Sequence, residues 1–370
     1  MNALSKIIAA RGAIVAGSDM AGGEFLKHCA KNITKNIDLV VINGAIDDAN
    51  PELVHARKLG IPVMGRDELL AEVESGFKHR IAICGTHGKS TTTAMIAQIF
   101  IIAGLSPTVH CGAVMNIDGE KTSYVLGKGN IFITEACEFK RAFLKLNPTV
   151  AVITNIDADH LDCYHDIYEI RDVFRDFAQK AKTVIEHNDA DPDDIKLSIA
   201  GRHNIENAAL AIRVALHFGI PMSVIEKALL DFRGIDRRFE KIAAPWEETD
   251  LITDFAHHPT EITACINTAT ELYGLGNFLV VFQPHTYTRT VALFGDFCRV
   301  LGRYDTVLYK TYAARETEIS GGTARDIATA IGAPYFDNAE ALRTYITENH
   351  AKYGAILLVG AGDIYRLFAN

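Results

Sequence analysis

Short apolar runs alternate with stretches of helical periodicity from one end of the chain to the other. The runs are GAIVAG (12–17), DLVVIN (38–43), RIAIC (80–84), NIFITE (130–135), TVAVITN (149–155), DLITDF (250–255), NFLVVF (277–282), DTVLYK (305–310) and AILLVG (355–360). Most are continuously apolar rather than alternating, which marks parallel strands covered by helices on both faces. The pattern predicts an α/β, doubly wound fold. A polar stretch, VESGFKH (73–79), and a basic, glycine-containing stretch, FRGIDRRFEK (232–241), interrupt it and predict boundaries giving units of 1–79, 80–236 and 237–370. No repeat of fixed period and no low-complexity tract is visible.

Length agrees with several units, since 370 residues with 48% hydrophobic content exceed what one core usually serves. A formal net charge of -9 and no long basic run argue against a nucleic-acid partner. The seven cysteines, Cys29, Cys84, Cys111, Cys137, Cys163, Cys265 and Cys298, form no Cys-x-x-Cys pair, as suits buried thiols in a reducing compartment. With no signal-like opening and no apolar run of membrane-spanning length, the expectation is a cytoplasmic protein with no membrane partner.

Chemistry concentrates where RIAIC breaks into GTHGKSTTT (85–93). A strand, a Gly85-Thr86-His87-Gly88 turn and a helix opening at Lys89-Ser90 direct backbone N–H groups and the positive end of a helix dipole at one point, which suits a polyphosphate. Lys89 supplies a cation for the outer phosphates, and the Ser90 or Thr91 hydroxyl can ligate Mg²⁺. The strict phosphate-loop pattern wants glycine where Ile83 stands. Glu135, at the end of NIFITE, is placed to complete a metal shell, because ligands of open α/β sheets gather at strand carboxyl ends. The next strand brings Asn155, Asp157, Asp159, His160 and Asp162 to the same edge. Asp157 and Asp159 are equally readable as helix N-caps; His160 is a metal ligand or a substrate contact.

GTHGKSTTT, TEACE followed by FL, TNIDADHLD, GRHNIENAALA, RRFE, DFAHHPTEI and FQPHTYTRT, in this order, resemble the Mur ligases over roughly residues 80 to 370. The resemblance implies three domains: a small Rossmann-like N-terminal domain, a central P-loop ATP-binding domain and a Rossmann-like domain that binds the amino acid. It implies an ATP- and Mg²⁺-dependent carboxylate–amine ligase acting through an acyl phosphate in peptidoglycan precursor synthesis, most similar to members that join L-alanine to UDP-N-acetylmuramate. A ligase for another amino acid or peptide, and a non-catalytic ATP-binding homologue, stay open. The partners implied are small molecules, with the chain a monomer or homodimer.

By that resemblance Ser90 and Glu135 hold one metal and His160 helps hold a second, while His203, Asn204 and Asn207 contact adenine. The asparagine stretch is also readable as a helix N-cap and first turn. Arg238 and Asp254 reach the nucleotide, or else form a linker salt bridge and a strand-end cap. His257, His258, His285 and Arg289 make a cationic pocket for the amino acid and the developing oxyanion, with Asn155 a further substrate contact. His258 is also explained by a His-Pro-Thr-Glu helix entry. Three departures stand out. The glycine-rich turn expected in the first domain is missing, which leaves Ser18, Asp19, Asn43 and Gly44 as uridine-site candidates. HNDADPDDIK (187–196) is shorter than the family's excursion there. Phe255 and Thr286 stand where some relatives carry Tyr and Arg.

Overall fold

The computed structural model describes residues 1–19, 26–158, 163–187 and 195–368. Three sheets organise them. The first unit holds α1 (Asn2–Ala10), β1 (Val40–Ile42), α2 (Pro51–Leu59), β2 (Val63–Gly65) and α3 (Arg66–Ser75). Its sheet is a parallel pair, β1 with β2. The expected GAIVAG strand does not form: residues 13–17 belong to no strand, Ile14 is fully exposed, and among the described residues the pairing here is a single Ser18–Leu26 bridge. The apolar stripe of α1 explains this. Leu4 and Ile7 pack with Leu70 and Val73 of α3 against Ala82, Cys84 and Phe132 of the neighbouring sheet. With α1 committed there, residues 13–17 stay exposed among the described residues, and an uncovered parallel strand gains too little burial to form.

The central unit comprises β3 (His79–Cys84), α4 (Lys89–Ile102), β4 (Thr108–Ile117), β5 (Glu120–Val125), β6 (Ile131–Glu135), β7 (Val150–Ile153), α5 (Ile167–Ala178), β8 (Thr183–Glu186), α6 (Arg202–His217) and α7 (Met222–Asp231). Strand order is β5-β4-β6-β3-β7-β8, parallel except for the β4–β5 hairpin. The phosphate-loop strand β3 is therefore central, flanked by β6 and β7, so the acids ending those strands stand on either side of the loop. Helix α4 is buried all round from Thr91 to Phe100, and its core includes Ala208, Leu210 and Ala211 of α6 with Ile225 and Leu229 of α7. A helix without a polar face is stable only when enclosed in this way.

The last unit contains β9 (Glu240–Ile242), β10 (Asp250–Asp254), α8 (Pro259–Tyr273), β11 (Phe278–Phe282), α9 (Tyr287–Ala292), α10 (Phe294–Leu301), β12 (Thr306–Tyr309), α11 (Ala324–Ile331), β13 (Tyr335–Phe336), α12 (Ala339–Asn349) and β14 (Ala355–Val359). Its order is β13-β12-β11-β14-β10-β9, parallel but for the edge strand β9. Every side chain of β11 and β14 is buried, with helices on both faces. Among the described residues, no helix is long and apolar enough to cross a membrane.

Candidate active site

The loop after β3 reverses sharply, and its glycines are required. A Cβ on Gly85 (φ +140°) would lie 1.9 Å from Thr154 Oγ1, and one on Gly88 (φ +81°) 2.3 Å from Asn207 Oδ1. The β7 end braces the loop from the other side. Asn155 Oδ1 accepts the His87 N–H at 2.8 Å, Asn155 Nδ2 donates to the His87 carbonyl at 3.0 Å, and Thr154 Oγ1 donates to that carbonyl at 2.6 Å. Asn155, expected as a substrate contact, thus holds the loop. The first turn of α4, from Lys89 through Thr91, presents N–H groups that no residue within the helix can satisfy. This cradle fits a polyphosphate.

Lys89 sits in the mouth of the loop. Its Nζ donates to the Gly85 carbonyl (2.5 Å), the Thr86 carbonyl (3.1 Å) and Glu138 Oε1 (3.0 Å). Burial works to lower its pKa, but the charge and hydrogen bond of Glu138, with Cys137 and Glu135 nearby, together outweigh this and raise it. On the β6 side, Glu135 Oε1 accepts from Cys111 Sγ at 2.9 Å and from the Gly112 N–H at 2.7 Å, which fixes the carboxylate at the sheet edge. With the Ser90 and Thr91 hydroxyls at the start of α4, this all-oxygen donor set fits a hard divalent cation. His160, Asp159 and Asp162 lie outside the described residues.

Asn204 and Asn207 are buried on α6. Asn207 accepts from Thr92 Oγ1 at 3.1 Å and backs Gly88, whereas Asn204 donates to the Ala200 carbonyl at 2.6 Å. His203 faces Arg238, and burial, then that charge, bring its pKa down to about 4.

The C-terminal unit closes onto this edge. Asp254 accepts from the Phe239 N–H (2.8 Å) and the Ala256 N–H (2.7 Å), and burial pushes its pKa up to about 6. Glu261, in the first turn of α8, meets His87 Nδ1 at 3.3 Å, His257 Nδ1 at 3.3 Å and Arg238 Nη1 at 3.5 Å. Burial opposes its charge, yet His257, His87 and Arg238 drive its pKa well down. Asp157 pairs with His87 Nε2 at 3.3 Å and accepts from Thr260 Oγ1 at 2.7 Å. The His87 bond, ahead of every other influence, holds Asp157 below the usual carboxylate range. In turn, burial of His87 is outweighed by its bonds to Asp157 and Glu261, and its pKa rises to about 9.

The expected cationic pocket divides in two. His257, His285 and Arg289 gather: the His257 and His285 rings are 5.8 Å apart, and Arg289 Nη1 is 3.3 Å from His285 Nδ1. Burial, then His257 and Arg289, bring His285 down to about 4. His258 instead caps α8, its Nδ1 accepting from the Thr260 N–H at 3.3 Å, with its ring 5.0 Å from that of His87. Thr286 adopts φ +66° at the head of α9, an uncommon conformation for a β-branched residue beside a pocket.

Of the first-unit candidates, Ser18 Oγ donates to buried Glu52, and Asn43 closes its own turn by accepting from the Ala45 N–H at 2.9 Å. The Gly44 carbonyl accepts from Lys140 at 3.3 Å and the Ala45 carbonyl from Arg315 at 2.9 Å, so all three units meet at this turn. Glu138, which pairs with Lys89, and Glu261, which bridges the units, are not among the residues that the sequence pointed to. The position of Glu261, the third helical residue after His258, had signalled only a helix start.

Three family profiles match the chain: "Mur ligase family, catalytic domain" over residues 1–78, "Mur ligase middle domain" over 83–192 and "Mur ligase, glutamate ligase domain" over 237–362. The UDP-N-acetylmuramate–L-alanine ligase of Clostridium novyi is 36% identical, covering 99% of this chain and 93% of that protein. Its Lachnospira eligens counterpart is 34% identical, covering 99% and 94%. Among solved structures, the UDP-N-acetylmuramate–alanine ligase of Thermotoga maritima superposes with a TM-score of 0.84 at 26% identity, covering 99% of this chain and 94% of that one. A murein peptide ligase from Psychrobacter arcticus shares the fold at a TM-score of 0.71 and 22% identity, covering 100% and 95%.

Proposed function

Because the chain belongs to the Mur ligase family, we propose that it joins L-alanine to the carboxylate of UDP-N-acetylmuramate, with conversion of ATP to ADP and phosphate. The observation that carries the reading is near-full-length similarity to ligases of that name, on a chain whose phosphate loop, Glu135 and cationic pocket converge at one edge. The substrate carboxylate oxygen attacks the γ-phosphorus and ADP leaves. The amine of alanine then attacks the acyl carbon, its N–H proton is lost, and phosphate departs.

The chain's residues have separable tasks in this scheme. The loop amides and Lys89 bind the triphosphate and hold it in line, Lys89 exchanging Glu138 for the outer phosphates. Ser90 and Glu135 would hold Mg²⁺, which when bound neutralises charge on the moving phosphoryl group. Arg289, with His285 and His257 beside it, suits the alanine carboxylate and the oxyanion that develops after amine attack. Arg238 and Asp254 bring the C-terminal unit to the nucleotide, with the His203, Asn204 and Asn207 stretch on the adenine side. His160 is assigned to a second metal on the resemblance alone. A nucleotide-sugar substrate and ATP suit a cytoplasmic enzyme, working as a monomer or homodimer.

The test is phosphate release from Mg²⁺-ATP with UDP-N-acetylmuramate present or absent, across amino acids and peptides. Release that needs both the nucleotide sugar and L-alanine is expected. Release with a peptide but not with alanine would replace the reading with that of a peptide ligase.

A further inference from the structure

We propose that His87, Asp157 and His258 form a site for a borderline divalent metal ion of the zinc type, which pins the C-terminal unit onto the phosphate loop. The three residues come from the phosphate loop, the β7 edge and the cap of α8. One nitrogen or oxygen from each lies within 4.8 Å of the others. His87 Nε2 is 3.3 Å and His258 Nδ1 3.9 Å from the same oxygen, Asp157 Oδ2. Ligand atoms about 2.0–2.1 Å from a tetrahedral ion stand roughly 3.4 Å apart, so one edge of the site already has the required length and the others need modest contraction. At His258 the metal would take over the Nδ1 lone pair that accepts the 3.3 Å N–H bond from Thr260.

The donor set and its surroundings favour this ion class. Two imidazoles and one carboxylate suit zinc or cobalt, whereas Mg²⁺ prefers an all-oxygen shell. Outer partners are in place as well. Glu261 Oε1 lies 3.3 Å from His87 Nδ1, the ring nitrogen opposite the proposed ligand atom, and Thr260 Oγ1 donates to Asp157 at 2.7 Å. Carboxylate–histidine pairs of this kind orient metal-binding imidazoles. His87 and Asp157 retain partial solvent access, which leaves an entry path and an outer position for water.

The site is separate from the Ser90–Glu135 pair, because Glu135 ends β6 and Asp157 follows β7, on opposite sides of β3. A metal held here would fix His87 in its present contacts and tie the cap of α8 to the phosphate loop.

The experiment titrates the nucleotide-free full chain with Co²⁺, reading the visible absorption of a tetrahedral nitrogen–oxygen complex, and then displaces Co²⁺ with Zn²⁺. One equivalent is expected to bind. Asp157→Asn and His258→Gln should each weaken binding at least tenfold, Glu261→Gln about 10- to 100-fold, and Glu135→Gln should leave it intact. Zn²⁺ should also raise the unfolding temperature of the native chain but not of Asp157→Asn. Absence of stoichiometric binding, binding indifferent to Asp157→Asn and His258→Gln, or binding abolished by Glu135→Gln would each overturn the proposal. Should His258→Gln fail to fold, the partly exposed Asp157 decides the matter.

Discussion

Lys89 and Asp254 carry the site's charge balance, and each makes a measurable demand. Lys89→Ala should retain the fold, because Asn155 and Thr154 still brace the loop when the lysine's bonds to the Gly85 and Thr86 carbonyls are lost. Its kcat/KM should fall by a factor equivalent to about 3 kcal/mol or more, the loss expected for a preorganised charge at a transferring phosphoryl group; turnover close to native would remove Lys89 from the site. Asp254 has a pKa near 6 in the folded chain, above the usual aspartate value. Its native state therefore holds the proton more tightly, so its stabilising contribution is full below the unfolded pKa and is lost as pH rises through 6. Going from pH 7 to pH 5, the native chain should fare better than Asp254→Asn by about 1 kcal/mol in unfolding free energy. Equal pH dependence in the two would refute the assignment. Lys89, Ser90 and Glu135 were legible because local order, strand then turn then helix, fixes where they point. Glu138 was not, since its pairing with Lys89 crosses from β6 to β3 and no local pattern encodes it.

At the scale of elements, α4 and α6 are joined by one buried polar contact inside an apolar interface, that between Thr92 and Asn207. Thr92→Val keeps the shape but removes the donor, leaving Asn207 Oδ1 poorer by one bond in a dry interface. The expected cost is about 1–3 kcal/mol in denaturant unfolding. Adding Asn207→Leu should recover part of it, and strictly additive losses would show that the two residues act independently. The strong parallel strands were readable from their apolar runs, and all but GAIVAG appear. That run fails because strand formation depends on what covers it, which its own composition does not state. The β4–β5 hairpin is not among the expected elements, although Asp118-Gly119, both at positive φ, is the dipeptide that a two-residue hairpin turn demands. Its strands mix buried and exposed positions and so carry no continuous apolar run.

The whole molecule turns on the linker before β9, where Arg237 and Phe239 both take left-handed conformations on either side of Arg238. Arg237 is held between the Phe255 and Tyr365 rings, and Asp254 accepts the Phe239 N–H, so the linker is fastened to the C-terminal unit. That unit reaches the phosphate loop through α8, where Thr260 meets Asp157. Thr260→Ala should loosen this closure and increase the radius of gyration in solution scattering without nucleotide; an unchanged radius would mean that the other contacts suffice. The expectation that Arg238 and Asp254 reach the nucleotide brought this unit to the site, but its contacts were not legible, because Glu261 meets His87 and Asp157 meets Thr260 only when separate units come together.

The Lys89–Glu138 contact also bears on how nucleotide affinity should be read. A loop whose lysine is already bound to its own carbonyls and to a buried carboxylate is binding-competent only in the fraction of molecules that have released it. The apparent dissociation constant is then the intrinsic one divided by that fraction. Glu138→Gln should tighten ATP binding in calorimetry although it adds no contact to the ligand, and a tenfold change would measure about 1.4 kcal/mol of self-occupancy. Weaker binding in that variant would mean that Glu138 presents Lys89 to the nucleotide instead of withholding it.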